Sequence, residues 1–274
     1  MPAPAVVGVY GGGRMGAGIA HAFAVAGSAV TVVENDERAA AAARTRVEKS
    51  LAKSVELGVA VTGTVEVVID PAALATANVV VEAVPELPEV KRAVLATVAR
   101  CAPDAVIGTN TSSLSIDDLA SALPDPSVLI GLHFFNPVPA SDLVEVVVGA
   151  RTASELVGRA QEWVRGLGKH AITVRDSPGF ASSRLGVAIA LEAMRMVEEG
   201  VASAEDIDSA MTLGYRHPVG PLRTTDIVGL DVRLAIAEHL SRELGPRFAP
   251  PQVLRDKVAA GHLGRKTGEG FYRW

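Results

Sequence analysis

The sequence predicts an α/β domain built on a largely parallel sheet, followed by an all-helical domain. Three observations carry that prediction. The first two thirds of the chain alternates short apolar runs with longer helical patterns, the pattern of strands joined by crossover helices. After Asp176-Ser177-Pro178-Gly179 only helical periodicity remains. The length, 274 residues, against roughly 100 to 200 per domain, suits one large or two ordinary domains. The change of pattern sets the division at 1–178 and 179–274.

The expected strands are 6–9, 30–33, 65–69, 79–81, 106–108 and 128–132, with 143–148 and 171–174 finishing the sheet. These are the short apolar runs of the alternating pattern. Helical patterns cover 14–26, 36–57, 88–101 and 116–123. Ser115 with Asp118, and Thr152 with Glu155, have the spacing of a box that starts a helix. The alanine run 39–43 reads as a solvated helix, since alanine is the best helix former. In the second domain the helical stretches are 184–199, 204–213, 230–244 and 251–260. Ser203 before Glu205 and Asp206 is a good start, because acidic groups in a first turn meet the positive end of the dipole. Val187, Leu191, Met194 and Val197 recur at helical spacing and must be buried.

Composition excludes several classes. Hydrophobic residues make up 49% and charged ones 21%, which suits a folded globular chain. A net charge of −5 offers no global attraction for nucleic acid or an anionic membrane, so an anionic ligand must be bound by local design. Cys101 is the single cysteine, so neither an intrachain disulfide nor a cysteine-based metal site is expected. No metal is expected either from His21, His170, His217, His239 or His262, which lack ligand-like spacing and are read as structural or surface residues. Residues 15–33 carry no Lys, Arg, Asp or Glu, long enough to raise a membrane span. Ala26-Gly27-Ser28 interrupts the run, which therefore reads as a buried helix and then a buried strand. The first 13 residues lack the basic start of a secretory signal, and a soluble cytoplasmic protein is expected.

Gly11-Gly12-Gly13-Arg14-Met15-Gly16 satisfies G-x-G-x-x-G after an expected strand and at the start of an expected helix. Gly11, Gly13 and Gly16 would allow a tight turn, close approach to a pyrophosphate and close helix packing, with the helix amides facing the phosphates. Glu34 ends the second strand, where an acid accepts hydrogen bonds from ribose hydroxyls and repels a 2′-phosphate. This favours NAD over NADP, although Arg38 nearby could accept a phosphate. The first domain thus reads as a Rossmann-type dinucleotide-binding domain; on the fingerprint alone FAD stays open.

His133 ends an expected strand, followed by Phe134-Phe135-Asn136-Pro137-Val138-Pro139, and Glu145 lies in the next strand. In an open α/β sheet ligands sit beyond the carboxyl ends of the strands, which points His133 toward the cofactor. Alternation does not establish that Glu145 reaches it. Thr109-Asn110-Thr111-Ser112-Ser113 follows another strand and gathers several hydroxyls, a composition that equally makes an ordinary turn.

Taken with these motifs, Asp176-Ser177-Pro178-Gly179-Phe180 and Gly264-Arg265-Lys266-Thr267-Gly268-Glu269-Gly270-Phe271-Tyr272 complete a pattern that resembles the L-3-hydroxyacyl-CoA dehydrogenase family, the short 3-hydroxybutyryl-CoA type, nearly end to end. The resemblance implies an NAD-dependent enzyme that interconverts (S)-3-hydroxyacyl-CoA and 3-oxoacyl-CoA, short chains above all, as a homodimer formed through the helical domain. It implies His133 as general base, Glu145 as its orienting partner, and Ser112 as a hydroxyl that contacts substrate and nicotinamide. Glu86, Lys91, Asn136 and Lys266 fall where the family contacts its cofactor. Ser183 stands where the family usually has an asparagine that binds the substrate oxygen; the plain alternative is that it caps a helix. A dehydrogenase of a free hydroxy acid or sugar acid, and a non-catalytic nucleotide-binding protein, are the rival readings.

The chemistry suits these roles. Oxidising a secondary alcohol removes a proton from oxygen as hydride leaves carbon, and imidazole, which titrates at about 6.5, is suited to the first task. Arg46, Lys49 and Lys53 share one helix face and could meet the phosphates of coenzyme A, though a solvated face explains them as well.

Overall fold

The computed structural model describes residues 3–274 and contains two compact units that divide between Ser177 and Pro178. The first holds β1 (Val6–Tyr10), α1 (Arg14–Val25), β2 (Ala29–Val33), α2 (Glu37–Glu56), β3 (Thr64–Val68), β4 (Val79–Glu82), α3 (Pro88–Cys101), β5 (Val106–Thr109), α4 (Ile116–Ala120), β6 (Leu129–Phe134), β7 (Leu143–Val148), α5 (Ser154–Gly166) and β8 (His170–Arg175). The eight strands form one sheet in the order β3-β2-β1-β4-β5-β6-β7-β8. The chain steps outward from β1 through β2 to β3 and then returns to place β4 on the other side of β1. That reversal is the topological switch point, where open α/β sheets open a ligand crevice.

Val7, Val9, Val30, Val32, Val79 and Val81 are almost wholly buried, packed with Ile19 and Phe23 of α1. Each such side chain contributes about 1.5 to 3 kcal/mol of transfer free energy. The uncharged stretch 15–33 is therefore α1 followed by β2, and no described helix is long and apolar enough to cross a membrane. The alanine run departs from its expected solvated role. Ala40 and Ala43 are fully buried in the core, because a small side chain lets α2 lie close to the glycine turn.

The last two strands run against the other six. β6 pairs with β7 antiparallel and β7 with β8 parallel. Residues 135–142 connect β6 to β7, too few for a parallel crossover, which takes roughly a dozen or more. Ser115 accepts from the Asp118 amide as expected of a helix start. Thr152 does not cap α5: it donates to the Leu129 carbonyl and accepts from the Gly149 amide, and the capping position is Ala153. α4 ends at Ala120, three residues short of the expected stretch.

The second unit contains α6 (Ser182–Glu198), α7 (Ala204–Ser209), α8 (Pro221–Val228), α9 (Leu230–Leu244) and α10 (Gln252–Ala259). Its core gathers Val187, Leu191, Met194, Ile207, Leu222, Leu230 and Leu240. Ser203 caps α7 as expected, but that helix widens into a π-helical turn over Ala210–Gly214. α8 was not expected. Its first amides, Leu222 and Arg223, donate to the carboxylate of Asp208 at 2.8 and 2.9 Å. The capping acceptor thus comes from another helix, so no local start signal precedes Pro221.

Candidate functional site

The carboxyl ends of β1, β2, β4, β5 and β6 share one rim of the sheet, and the candidate residues of the first unit gather there. Gly11 adopts φ +95°, a conformation side chains disfavour. A Cβ on Gly16 would lie 1.7 Å from the Gly11 carbonyl oxygen, so only glycine lets α1 start this close to β1. Gly13 has nothing within 4 Å of where its Cβ would stand, leaving the helix start open to a ligand. The Gly12 amide donates to Glu34 Oε1 at 2.7 Å. That bond leaves the second oxygen of Glu34 to accept from a ribose hydroxyl. Turn, helix start and acid together fit an adenine dinucleotide with an unmodified ribose.

Beside this turn lies a polar network that the sequence only partly reveals. Glu82 ends β4, wholly buried, and accepts from Lys91 Nζ at 2.7 Å and from Thr109 at 2.7 Å. Lys91 is equally buried in α3, and its ammonium also reaches the Val84 carbonyl and Glu86 Oε2, both at 3.3 Å. Glu86 Oε1 accepts from the Thr111 hydroxyl at 2.6 Å and from the Ser112 amide at 2.7 Å. Burial works against ionising Glu86, but the Lys91 charge and these hydrogen bonds outweigh it and hold the carboxyl below its ordinary range. Lys91 therefore engages three acceptors within the protein, and its reach toward a ligand is through Glu86. The Ser112 hydroxyl, 3.2 Å from the same oxygen, is set at the loop surface by this carboxylate.

His133 and Glu145 are direct cross-strand partners in the β6–β7 pair. Nδ1 of His133 lies 2.7 Å from Oε2 of Glu145, with the glutamate side chain fully buried. A carboxylate only accepts, so Nδ1 carries the hydrogen, and in a neutral ring the acceptor lone pair lies on Nε2. His133 lies one residue inside the strand end rather than beyond it, and its ring rests against Phe135 at 4.5 Å. Asn110, which follows β5, accepts from the Phe134 amide at 2.9 Å and so ties the hydroxyl loop to the histidine strand. Asn110 and Thr111 belong to the hydroxyl loop singled out in the sequence, without individual roles there, whereas Glu82 was missed. An acid closing an apolar strand nine residues before a lysine was the available signal.

Arg46, Lys49, Ser50 and Lys53 of α2 face Arg14 and the turn Asn136–Ala140 across a groove of about 660 Å³. Arg46 donates to the Gly12 carbonyl at 3.3 Å, so one end of the groove adjoins the glycine turn. Asn136 lines it. His21 is buried and meets Ser54 at 2.7 Å, its basicity lowered by burial and by Lys169, in keeping with a structural role. In the helical unit, Ser183 is the second residue of α6; the capping position is Ala181, so Ser183 is not the cap. Lys266 binds both oxygens of Asp231 at 2.6 Å. Among the described residues no cluster of His, Cys, Asp or Glu could hold a metal ion.

Fold and rim together define a dinucleotide-dependent oxidoreductase. Residues 6–177 match the family model of the 3-hydroxyacyl-CoA dehydrogenase NAD-binding domain, and residues 179–274 match that of the C-terminal domain. A 3-hydroxybutyryl-CoA dehydrogenase of Mycobacterium tuberculosis is 41% identical over 98% of each chain. A probable 3-hydroxybutyryl-CoA dehydrogenase of Bacillus subtilis is 40% identical, covering 96% of this chain and 95% of its own. The crystal structure of (S)-3-hydroxybutyryl-CoA dehydrogenase from Ralstonia eutropha superposes with a TM-score of 0.93 at 36% identity, covering 99% of both chains. The chain belongs to the 3-hydroxyacyl-CoA dehydrogenase family. It is an NAD-dependent oxidoreductase acting on a CH–OH group.

Proposed function

We propose that this protein interconverts (S)-3-hydroxyacyl-CoA and 3-oxoacyl-CoA thioesters of short chain, 3-hydroxybutyryl-CoA among them. The observation that carries the reading is the buried His133–Glu145 pair at the ligand-facing rim of the sheet. NAD, when bound, accepts the hydride from the substrate carbon. His133 Nε2 takes the hydroxyl proton, and Glu145 behind Nδ1 stabilises the imidazolium that results; in reduction the same nitrogen returns the proton. Ser112, set by Glu86, holds the reacting oxygen in line, a positioning effect. Ser183 is assigned to the substrate oxygen on the family resemblance alone, with one hydroxyl where the family pattern has an asparagine side chain.

Gly11, Gly13 and Gly16 would hold the pyrophosphate, Glu34 the ribose, and Glu86 with Asn136 the nicotinamide end. Lys91 serves this end by fixing Glu86, and Lys266 is assigned to the cofactor on resemblance alone. The groove of Arg46, Lys49 and Lys53 supports a thioester with phosphates, because Lys49 and Lys53 have no carboxylate partner among the described residues. The assembly is a homodimer through the helical unit, an assignment that rests on the family resemblance and on the apolar surface considered below.

Purified protein with NADH should reduce acetoacetyl-CoA, followed by loss of NADH absorbance, and leave free acetoacetate untouched. Activity on the free acid alone would end the thioester reading. His133→Gln should lower turnover by about 10² to 10⁴ with NADH binding, read by fluorescence, unchanged. Turnover within a few-fold of the parent would remove His133 from the chemistry.

A further inference from the structure

The connection between β6 and β7 is held from outside by one lysine. Residues 135–142 leave the histidine strand, form a single 3₁₀ turn over Val138–Ala140 and enter the glutamate strand. Pro137 and Pro139 bring no amide hydrogen to this connection, which limits the bonds it can make within itself. Lys169, in the turn between α5 and β8, supplies donors instead: its ammonium bonds the Val138 carbonyl at 2.7 Å and the Ser141 carbonyl at 2.5 Å. Its own amide donates to the Val164 carbonyl at 3.1 Å, so the side chain springs from the anchored end of α5. Burial lowers the basicity of Lys169, and the charge of Asp142 does not make up for it. Bonds from a charged donor offset that cost of burial.

The connection so held is one wall of the groove of about 660 Å³, where Pro137–Ala140 face Arg46, Lys49 and Lys53 of α2. Its floor is fixed as well. Val138 is buried, and a Cβ on Gly18 of α1 would stand 2.9 Å from the Val138 Cβ, so the wall sits tightly on α1. Lys169 bonds the wall through backbone carbonyls and therefore acts on a ligand only by way of the wall. The His133–Glu145 pair, by contrast, is set by the register of β6 and β7.

We infer that Lys169 is a positioning residue for the coenzyme A portion of the thioester: by gathering the Val138 and Ser141 carbonyls it holds the proline wall at the spacing from α2 that lets Arg46, Lys49 and Lys53 meet the phosphates. This rests on the thioester reading above, in which the groove receives those phosphates. The chemistry at His133 is not altered by it.

The test compares two thioesters with NADH. Acetoacetyl-CoA carries the phosphates; acetoacetyl-N-acetylcysteamine keeps the reacting carbons and the sulfur without them. The parent protein should show the lower KM with acetoacetyl-CoA. Lys169→Met should raise that KM by about 10-fold, the scale of one hydrogen bond to a charged group. Its kcat should stay within about two-fold of the parent, as when binding common to ground and transition states is lost, and its KM for the truncated thioester should not move. Lys169→Arg, which keeps charge and donors, should restore most of the preference for acetoacetyl-CoA. Lys169→Gln, with N–H donors on a shorter neutral side chain, should fall between, and it replaces Lys169→Met should that variant not fold. Equal rises in KM on both thioesters, a fall in kcat on both, or a lowered unfolding midpoint with the ratio of the two KM values intact would each make Lys169 a general support of the fold and reject the inference. Failure of both neutral variants to fold, or KM values untouched in both, rejects it too. A parent with equal KM on the two thioesters takes the groove out of coenzyme A recognition and the inference with it, while turnover still upholds the dehydrogenase reading. No turnover of either thioester removes the enzyme reading itself.

Discussion

Glu86 is kept ionised by its neighbours. Burial opposes the charge, and Lys91 with the Thr111 and Ser112 hydrogen bonds prevails, so the native carboxyl titrates below its unfolded counterpart. A carboxyl lowered in this way stabilises the native state above the unfolded value of about 4.3, and the contribution is lost as pH falls through the native value. Thermal midpoints of the parent and of Glu86→Gln should therefore differ near neutrality and draw together as pH falls below the unfolded value of about 4.3. A gap that stays constant across that range would show that Glu86 contributes shape rather than charge. The same substitution should weaken NADH binding at neutral pH, because a neutral amide oxygen holds the Ser112 and Ser113 amides less strongly than a carboxylate and the amide nitrogen would face Lys91.

At the scale of elements, α3 is fastened to β4 by a charge pair that water does not reach. Lys91 and Glu82 side chains are both fully buried, 2.7 Å apart. Removing one partner strands the other, so Lys91→Met should cost about 3 to 5 kcal/mol in urea unfolding. Glu82→Gln with Lys91→Met together should cost less than Lys91→Met alone, since no wholly buried charge is left bare and Glu86 is part-exposed; a double variant that is equally unstable would count against this account. The glycine turn was legible in sequence because its requirement is local: Gly11 and Gly16 follow from one turn and one close approach. The strands themselves were legible, since short apolar runs mark strands whatever their neighbours, but their order was not. The reversal at β7 and the Glu82–Lys91 pairing were harder to read, because each depends on which strand lies beside which. α8 was hidden for a related reason, its cap being Asp208 from another helix. Glu145 could be named from the family motif, but its contact with His133 needed the antiparallel register that puts the two opposite each other.

At the scale of the molecule, the helical unit buries one apolar face and leaves another bare. Leu213 and Tyr215 are 82% and 77% exposed, next to the π-helical turn. A nearly wholly apolar groove of about 290 Å³ runs between Ile189, Ala193 and Met196 of α6 and Ile207 and Met211 at α7 and that turn. Leu185 and Ile189 add to the bare surface of α6. Exposed apolar side chains gathered at a groove mark an interaction surface, and a two-fold dimer would cover it with the same patch of a second copy. Light scattering on the purified chain of 28.3 kDa should accordingly give twice that mass. Leu213→Asp combined with Ile189→Asp should shift the mass toward the monomer, because paired copies would each bury new carboxylates against an apolar wall, a cost of several kcal/mol per ion. The far-UV spectrum of that variant should be unchanged, since both positions face outward. A monomeric parent protein would instead leave the bare face of α6 and the π-helical turn as surface without a partner copy, and the homodimer assignment would fall while the reading of the sheet rim stood.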